Sequence, residues 1–152
     1  MYPVVLFAHS WLRWVVLVLG IALLVSTGRA WLTGRGWESR EERLGVAFLR
    51  ALDLQVILGL TLYLFLSPFS RAGFADMGAA IANPILRFYS IEHVAGMLTA
   101  VVAAHLGLER SRRLDPHRRS RTVTLTQIVW LVVTLASIPW PGLDYGRPFF
   151  RS

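Results

Sequence analysis

The chain has 152 residues, 55% hydrophobic and 16% charged, with a net charge of +7 and no cysteine. Its mean hydropathy of +0.51 exceeds that of an ordinary soluble domain, and its length suits a single one. The lack of cysteine excludes disulfides, thiolate metal sites, iron–sulfur clusters, CxxCH haem attachment and cysteine catalysis; the arginine-only basic residues lie in blocks between apolar runs, which reads as bilayer orientation rather than a nucleic-acid surface.

The first apolar run, starting MYPVVLFAHSWLRWVVLVLG, predicts a membrane span over residues 4–27. It has no basic n-region and no small-x-small cleavage site, so it is expected to stay in the protein. It carries His9 and Arg13 one helical turn apart. The segment GRAWLTGRGWESREERLG follows, with Arg29, Arg35, Arg40 and Arg43. A second span is predicted over residues 46–66, ending at SPF and carrying Asp53 and Gln55. A third is predicted over residues 86–108, with Glu92, His93 and His105. The next connection, ERSRRLDPHRRSR, holds Arg110, Arg112, Arg113, Arg118, Arg119, Arg121 and His117. A fourth span is predicted over residues 122–138, ending at IPWP.

Each run can cross about 30 Å of hydrocarbon at about 1.5 Å per residue. The prolines after the second and fourth fit, because proline cannot continue a helix. The segment between the second and third spans has only Arg71 and Arg87, and the tail only Arg147 and Arg151. The positive-inside rule then places the first and third connections in the cytoplasm and both termini outside. The expected fold is one all-α domain over residues 1–152, an up-down-up-down four-helix membrane bundle.

Counting inward from the outer boundary, His9 falls about 8 Å deep and His93 about 10 Å. In a square of antiparallel helices the first and third are diagonal, about 14 Å apart. That separation suits two imidazoles on opposite faces of one haem iron. Alone, either histidine would read as a hydrogen-bonded core residue. At matched depth on parallel helices, the two read as axial ligands of a single haem b. Zinc or copper would be left short of ligands.

Ala8, Ala95 and Gly96 are expected to leave room for a flat ring, with Met97 packing one turn below His93. Arg87, Tyr89 and Arg147 near the outer boundary are expected to meet the propionates. Arg13, about 14 Å deep, needs a partner. Asp53 on the second span is the first candidate, with Glu92 or a propionate as the others. Arg13 could also mark a proton or quinone-head site. His105, about 18 Å deeper than His93, reads as a polar contact near the inner interface, and His117 as a solvated loop residue.

The combination HSWLRW, LQVILGLTLYLFLSP, LRFYSIEH and SIPWP resembles a group of small bacterial four-helix membrane proteins labelled cytochrome b-like. Similarity to the larger cytochrome b561 type is weaker, because those pair histidines at both membrane faces. The resemblance covers nearly the whole chain. It implies residence in the bacterial inner membrane, with His9 and His93 as the matching histidines and Arg13 and Glu92 within the motifs. Relatives often carry a histidine before the LQ of the second span, where this chain has Asp53, which speaks against a second metal or haem site.

The leading expectation is a haem b electron-transfer protein with one bis-histidine site near the outer face, a redox carrier or subunit rather than an enzyme by itself. Quinone is the second small-molecule candidate, as ligand or redox partner. The alternative is a cofactor-free accessory or assembly subunit of a larger respiratory or photosynthetic complex, or a homo-oligomer, docked through the aromatic tail of Tyr145, Phe149 and Phe150. Pigment binding through one histidine is a third reading.

Overall fold

The computed structural model describes residues 1–150; Arg151, counted above with the outer tail, lies outside them. The described chain is all-helical. Helix α1 is Tyr2–Leu32 and α2 is Ser39–Leu66. Two short helices follow, α3 at Pro68–Ala75 and α4 at Met77–Ala82. Helix α5 is Pro84–Ser111 and α6 is Pro116–Ser137.

Local chemistry sets these boundaries. Helices α3, α5 and α6 open on Pro68, Pro84 and Pro116, where a missing N–H costs nothing. The side chains of Ser67, Asn83 and Asp115 accept hydrogen bonds from the first-turn N–H groups, as capping requires. The bond from the Arg118 N–H holds the Asp115 carboxyl below the usual carboxylate range. Between α1 and α2, Gly36 has φ 82° and lies against Pro116, so the turn needs glycine there.

Three helices, α1, α2 and α5, are long and apolar enough to cross a membrane. The expectation of four such helices is met by three, and the reason lies in α6. Its buried stripe carries Ser120, Thr124, Gln127, Thr134 and Ser137, which lowers its mean hydropathy. Its exposed side is apolar, with Leu125, Ile128, Val129, Val132 and Leu135.

Helix α1 packs against both α2 and α6, and α5 packs along α6. The α1–α6 crossing is tight at Gly20, where any side chain would overlap the buried Trp130 ring. Phe48 meets that ring edge-on at 4.8 Å. The α5–α6 contact uses small residues too, since side chains at Gly96 and Gly107 would run into Ser137 and Thr126. Such close approach is how helices associate without a hydrophobic driving force. Helices α2 and α5 meet far less closely.

At the arginine-rich end, Glu41 is fully buried and accepts from Ser26 at 2.5 Å and Arg35 at 2.6 Å. Arg119 stacks 4.0 Å over Trp37 and bonds Glu42 at 2.7 Å. The Trp37 N–H donates to the Pro116 carbonyl at 3.0 Å. These contacts tie the α1–α2 turn to the start of α6.

Candidate functional site

The site lies at the opposite end, which bears the N-terminus and the residue 139–150 tail. Two helices depart from regular α geometry there. Residues Leu62–Leu66 of α2 and Phe88–Glu92 of α5 form wide turns. The Ser67 N–H reaches back to the Leu62 carbonyl, and the His93 N–H to that of Phe88. Such bulges recur at functional sites. The Tyr63 hydroxyl, from one wide turn, donates to the Ser90 carbonyl in the other at 2.8 Å.

His93 follows directly on the second wide turn. Its Nδ1 lies 2.7 Å from the Ser137 carbonyl on α6. A carbonyl only accepts, so Nδ1 carries the proton and Nε2 is left with the lone pair. Proline explains why that carbonyl is free. The helical partner of the Ser137 carbonyl would be the N–H of residue 141, which is Pro141. The Leu135 carbonyl loses its partner to Pro139 in the same way, and the Trp140 indole donates to it at 2.7 Å.

His9, on α1, is positioned by α2. Gln55 Nε2 donates to the His9 carbonyl at 3.1 Å and lies 3.4 Å from the ring Nε2. A Cβ at Gly59 would stand 3.1 Å from His9 Cε1, so a side chain there would crowd the imidazole. His9 Nδ1 is buried without a partner.

The two histidines line the same two cavities, each of about 100 Å³. Gly59, Tyr63 and Pro139 also border both, so the spaces adjoin at the histidine pair. The deeper one is apolar, with Leu17, Leu52, Met97, Val101 and Trp130. Arg13, Gln55 and Thr134 also line it, and Arg13 Nε, Gln55 Oε1 and Thr134 Oγ1 are buried without partners, like His9 Nδ1. The outer cavity is more polar, with Ser10, Ser67, Ser70, Tyr89 and Arg147 beside Leu6, Leu62 and Phe69. Arg147 Nε donates to the Tyr89 hydroxyl at 2.8 Å, and its guanidinium lies 4.9 Å from the Phe69 ring. Tyr89 donates in turn to the Tyr145 carbonyl at 2.7 Å.

The structure brings together His9, His93 and Met97 at the deeper cavity, and Tyr89 and Arg147 at the outer one. It corrects other expectations. Gly96 borders neither cavity and does not make room for a ring; it serves the α5–α6 contact through Ser137. Arg87 borders neither as well, because Glu92 holds it at 2.7 Å and it also donates to the Ile81 carbonyl.

The pairing of Arg13 with Asp53 or Glu92 is overturned. Arg13 Nη2 donates to the Phe149 carbonyl at 3.1 Å, as does the Trp14 indole. Asp53 instead meets His105 Nε2 at 2.9 Å. His105 is thus a polar contact, as expected. His117 is exposed.

Sequence reading missed the roles of Gly59, Tyr63, Thr134 and the Ser137 carbonyl. Only the last left a signal, in the two prolines of SIPWP. Among the described residues, no three or more His, Cys, Asp or Glu side chains converge to hold a metal ion. The pair itself offers two nitrogen donors on one cavity. No known family's sequence pattern, no curated protein and no solved structure matches the chain.

Proposed function

We propose that this chain is a membrane electron-transfer protein that holds one haem b between His9 and His93. The observation that carries the reading is the shared cavity: two imidazoles from non-adjacent helices border one space, and one has its Nδ1 proton committed to a backbone carbonyl. That arrangement leaves Nε2 to bind iron and fixes the ring's orientation. The donor set fits, since bis-imidazole haem needs two histidines and no third ligand.

Haem supplies reversible one-electron chemistry when bound. The chain's own residues do the rest. His9 and His93 would hold the iron between them, and two protein ligands would favour electron transfer over oxygen chemistry. The apolar deep cavity keeps water out, with Met97 on its wall. Arg147 offers donors for carboxylates in the outer cavity, and Tyr89, whose one O–H goes to the Tyr145 carbonyl, accepts from Arg147 Nε and positions it. The resemblance to the cytochrome b-like group agrees with this assignment.

The same reading takes α6 as a fourth span of a four-helix bundle. Its apolar exposed face supports this. The arginine asymmetry supports termini facing outward, across a bacterial inner membrane. The test is a reduced-minus-oxidised spectrum with pyridine haemochrome analysis, on protein expressed with ample haem. Sharp reduced α and Soret bands are expected; colourless protein would reject the haem.

Rejection would favour an accessory subunit. One observation suits that role: Phe149 and Phe150 are 50% and 62% exposed, and Phe150 stacks on Trp14 and lies against Trp11 to form an aromatic patch.

A further inference from the structure

Ion pairs use up only part of the positive charge at the arginine-rich end. Arg35, Arg112 and Arg119 have Glu41, Glu109 and Glu42 as partners. Between residues 109 and 121, six arginines stand against only Glu109 and Asp115. Two of the six, Arg118 and Arg121, line an open cleft with Leu114, Thr122 and Leu125. The cleft measures about 490 Å³, larger than either cavity at the histidines.

Both guanidinium groups are available to an anion. Arg121 has no carboxylate partner among the described residues; its guanidinium lies 5.8 Å from the Trp31 ring of α1. Arg118 meets Asp115 at 3.3 Å, and both side chains are more than half exposed. Water screens such a pair, so it holds the arginine only weakly. Asp115 already caps the start of α6, so the charge on offer is that of the side chains. A guanidinium matches a phosphate through two parallel N–H bonds.

The surface below the cleft says which phosphate. Arg118, Arg121 and Leu125 follow one another at spacings of three and four residues, so they share one face of α6. That face runs on through Ile128, Val129, Val132 and Leu135, all exposed. From Leu125 to Leu135 the helix rises about 15 Å, half of the ~30 Å of hydrocarbon in a bilayer. An apolar strip one leaflet long therefore begins where the arginine pair ends. A soluble phosphate or an acidic protein segment would use the arginines and leave the strip idle. A phospholipid uses both, and the excess of arginine favours a headgroup with net negative charge.

We propose that Arg118, Arg121 and Thr122 hold the headgroup phosphate of an anionic phospholipid whose acyl chains lie along the exposed face of α6. The proposal rests on the reading of α6 as a span and does not involve the haem.

The experiment is native mass spectrometry of the full chain released from detergent micelles, titrated with phosphatidylglycerol or phosphatidylcholine. The first phosphatidylglycerol should bind about fivefold or more tighter than phosphatidylcholine, and in Arg118→Gln/Arg121→Gln this preference should fall to about twofold or less. Arg40→Gln/Arg43→Gln removes the same charge from α2, outside the cleft, and should keep the preference. Each variant is its own reference, since both lipids are offered to the same protein. Equal affinity for the two lipids in the wild type, or an equal loss in both double variants, would overturn the proposal. So would displacement of the lipid by glycerol 1-phosphate at matched concentration, which would make a free phosphate the ligand. Failure of α6 as a span shows separately. Reporters fused in the Arg110–Arg121 connection and after Ser152 would then report one side of the membrane, whereas loss of the lipid site alone leaves them on opposite sides.

Discussion

His93 Nδ1 lies 2.7 Å from the Ser137 carbonyl, and that acceptor is free because Pro141 stands where the helix would otherwise supply an N–H. Gly96 lets α5 come close enough to α6 for the bond to form. Pro141→Ala should return a competing donor to Ser137. If haem is bound, its affinity should fall about 10-fold or more, the usual scale for losing a group that orients a ligand. Pro139→Ala competes only at Leu135, where Trp140 donates, and should leave the haem-to-protein ratio unchanged. Equal losses in both variants would remove the special role of Ser137.

The axial pair makes a separate prediction. His9→Ala and His93→Ala should each abolish a low-spin haem spectrum. His105→Ala and His117→Ala should leave it intact, since His105 is engaged by Asp53 and His117 is exposed. An unchanged six-coordinate spectrum in the His9 variant would sink the pairing.

Arg13 is held by the tail and not by a carboxylate among the described residues. Asp53→Asn should therefore leave Arg13 undisturbed, its effect confined to the bond with His105. Deleting the chain after Pro148 removes the carbonyl that both Arg13 and Trp14 use. A loss of about 1–3 kcal/mol is expected, with a change in Trp14 fluorescence. Thermal unfolding in detergent separates the two; a larger cost for Asp53→Asn than for the truncation would restore the ion pair.

Glu41 is the most deeply buried charge of the arginine-rich end. Glu41→Gln keeps the shape but weakens the bonds to Ser26 and Arg35. Arg35 remains partly solvated, so the cost should stay near about 1.5–3 kcal/mol, that of hydrogen bonds to a charged group. The midpoint of chemical unfolding reads this directly. Glu109→Gln, in an exposed pair with Arg112, should be close to neutral.

Orientation is tested by fusion. A reporter active only in the cytoplasm should be silent after Ser152 and active in the Arg110–Arg121 connection. The opposite pattern would invert the topology.

Long apolar runs, blocks of arginine and helix-stopping prolines are local properties, so the sequence alone determined that the chain is helical and has segments able to cross a membrane. It also singled out His9 and His93, which the structure sets on the same two cavities. What it could not determine was partnership. Arg13 and Asp53 matched by charge and approximate depth, yet the tail supplied a nearer acceptor and His105 took the carboxylate. Gly96 read as empty room and proved to be a helix contact. The two wide turns re-aim the end of α2 and the start of α5, and no residue pattern announced them. Rotation of each helix about its axis decides which side chains face one another, and packing sets that rotation. The cavity, the loose α2–α5 contact and the free Ser137 carbonyl beside His93 therefore emerge only when the helices are assembled.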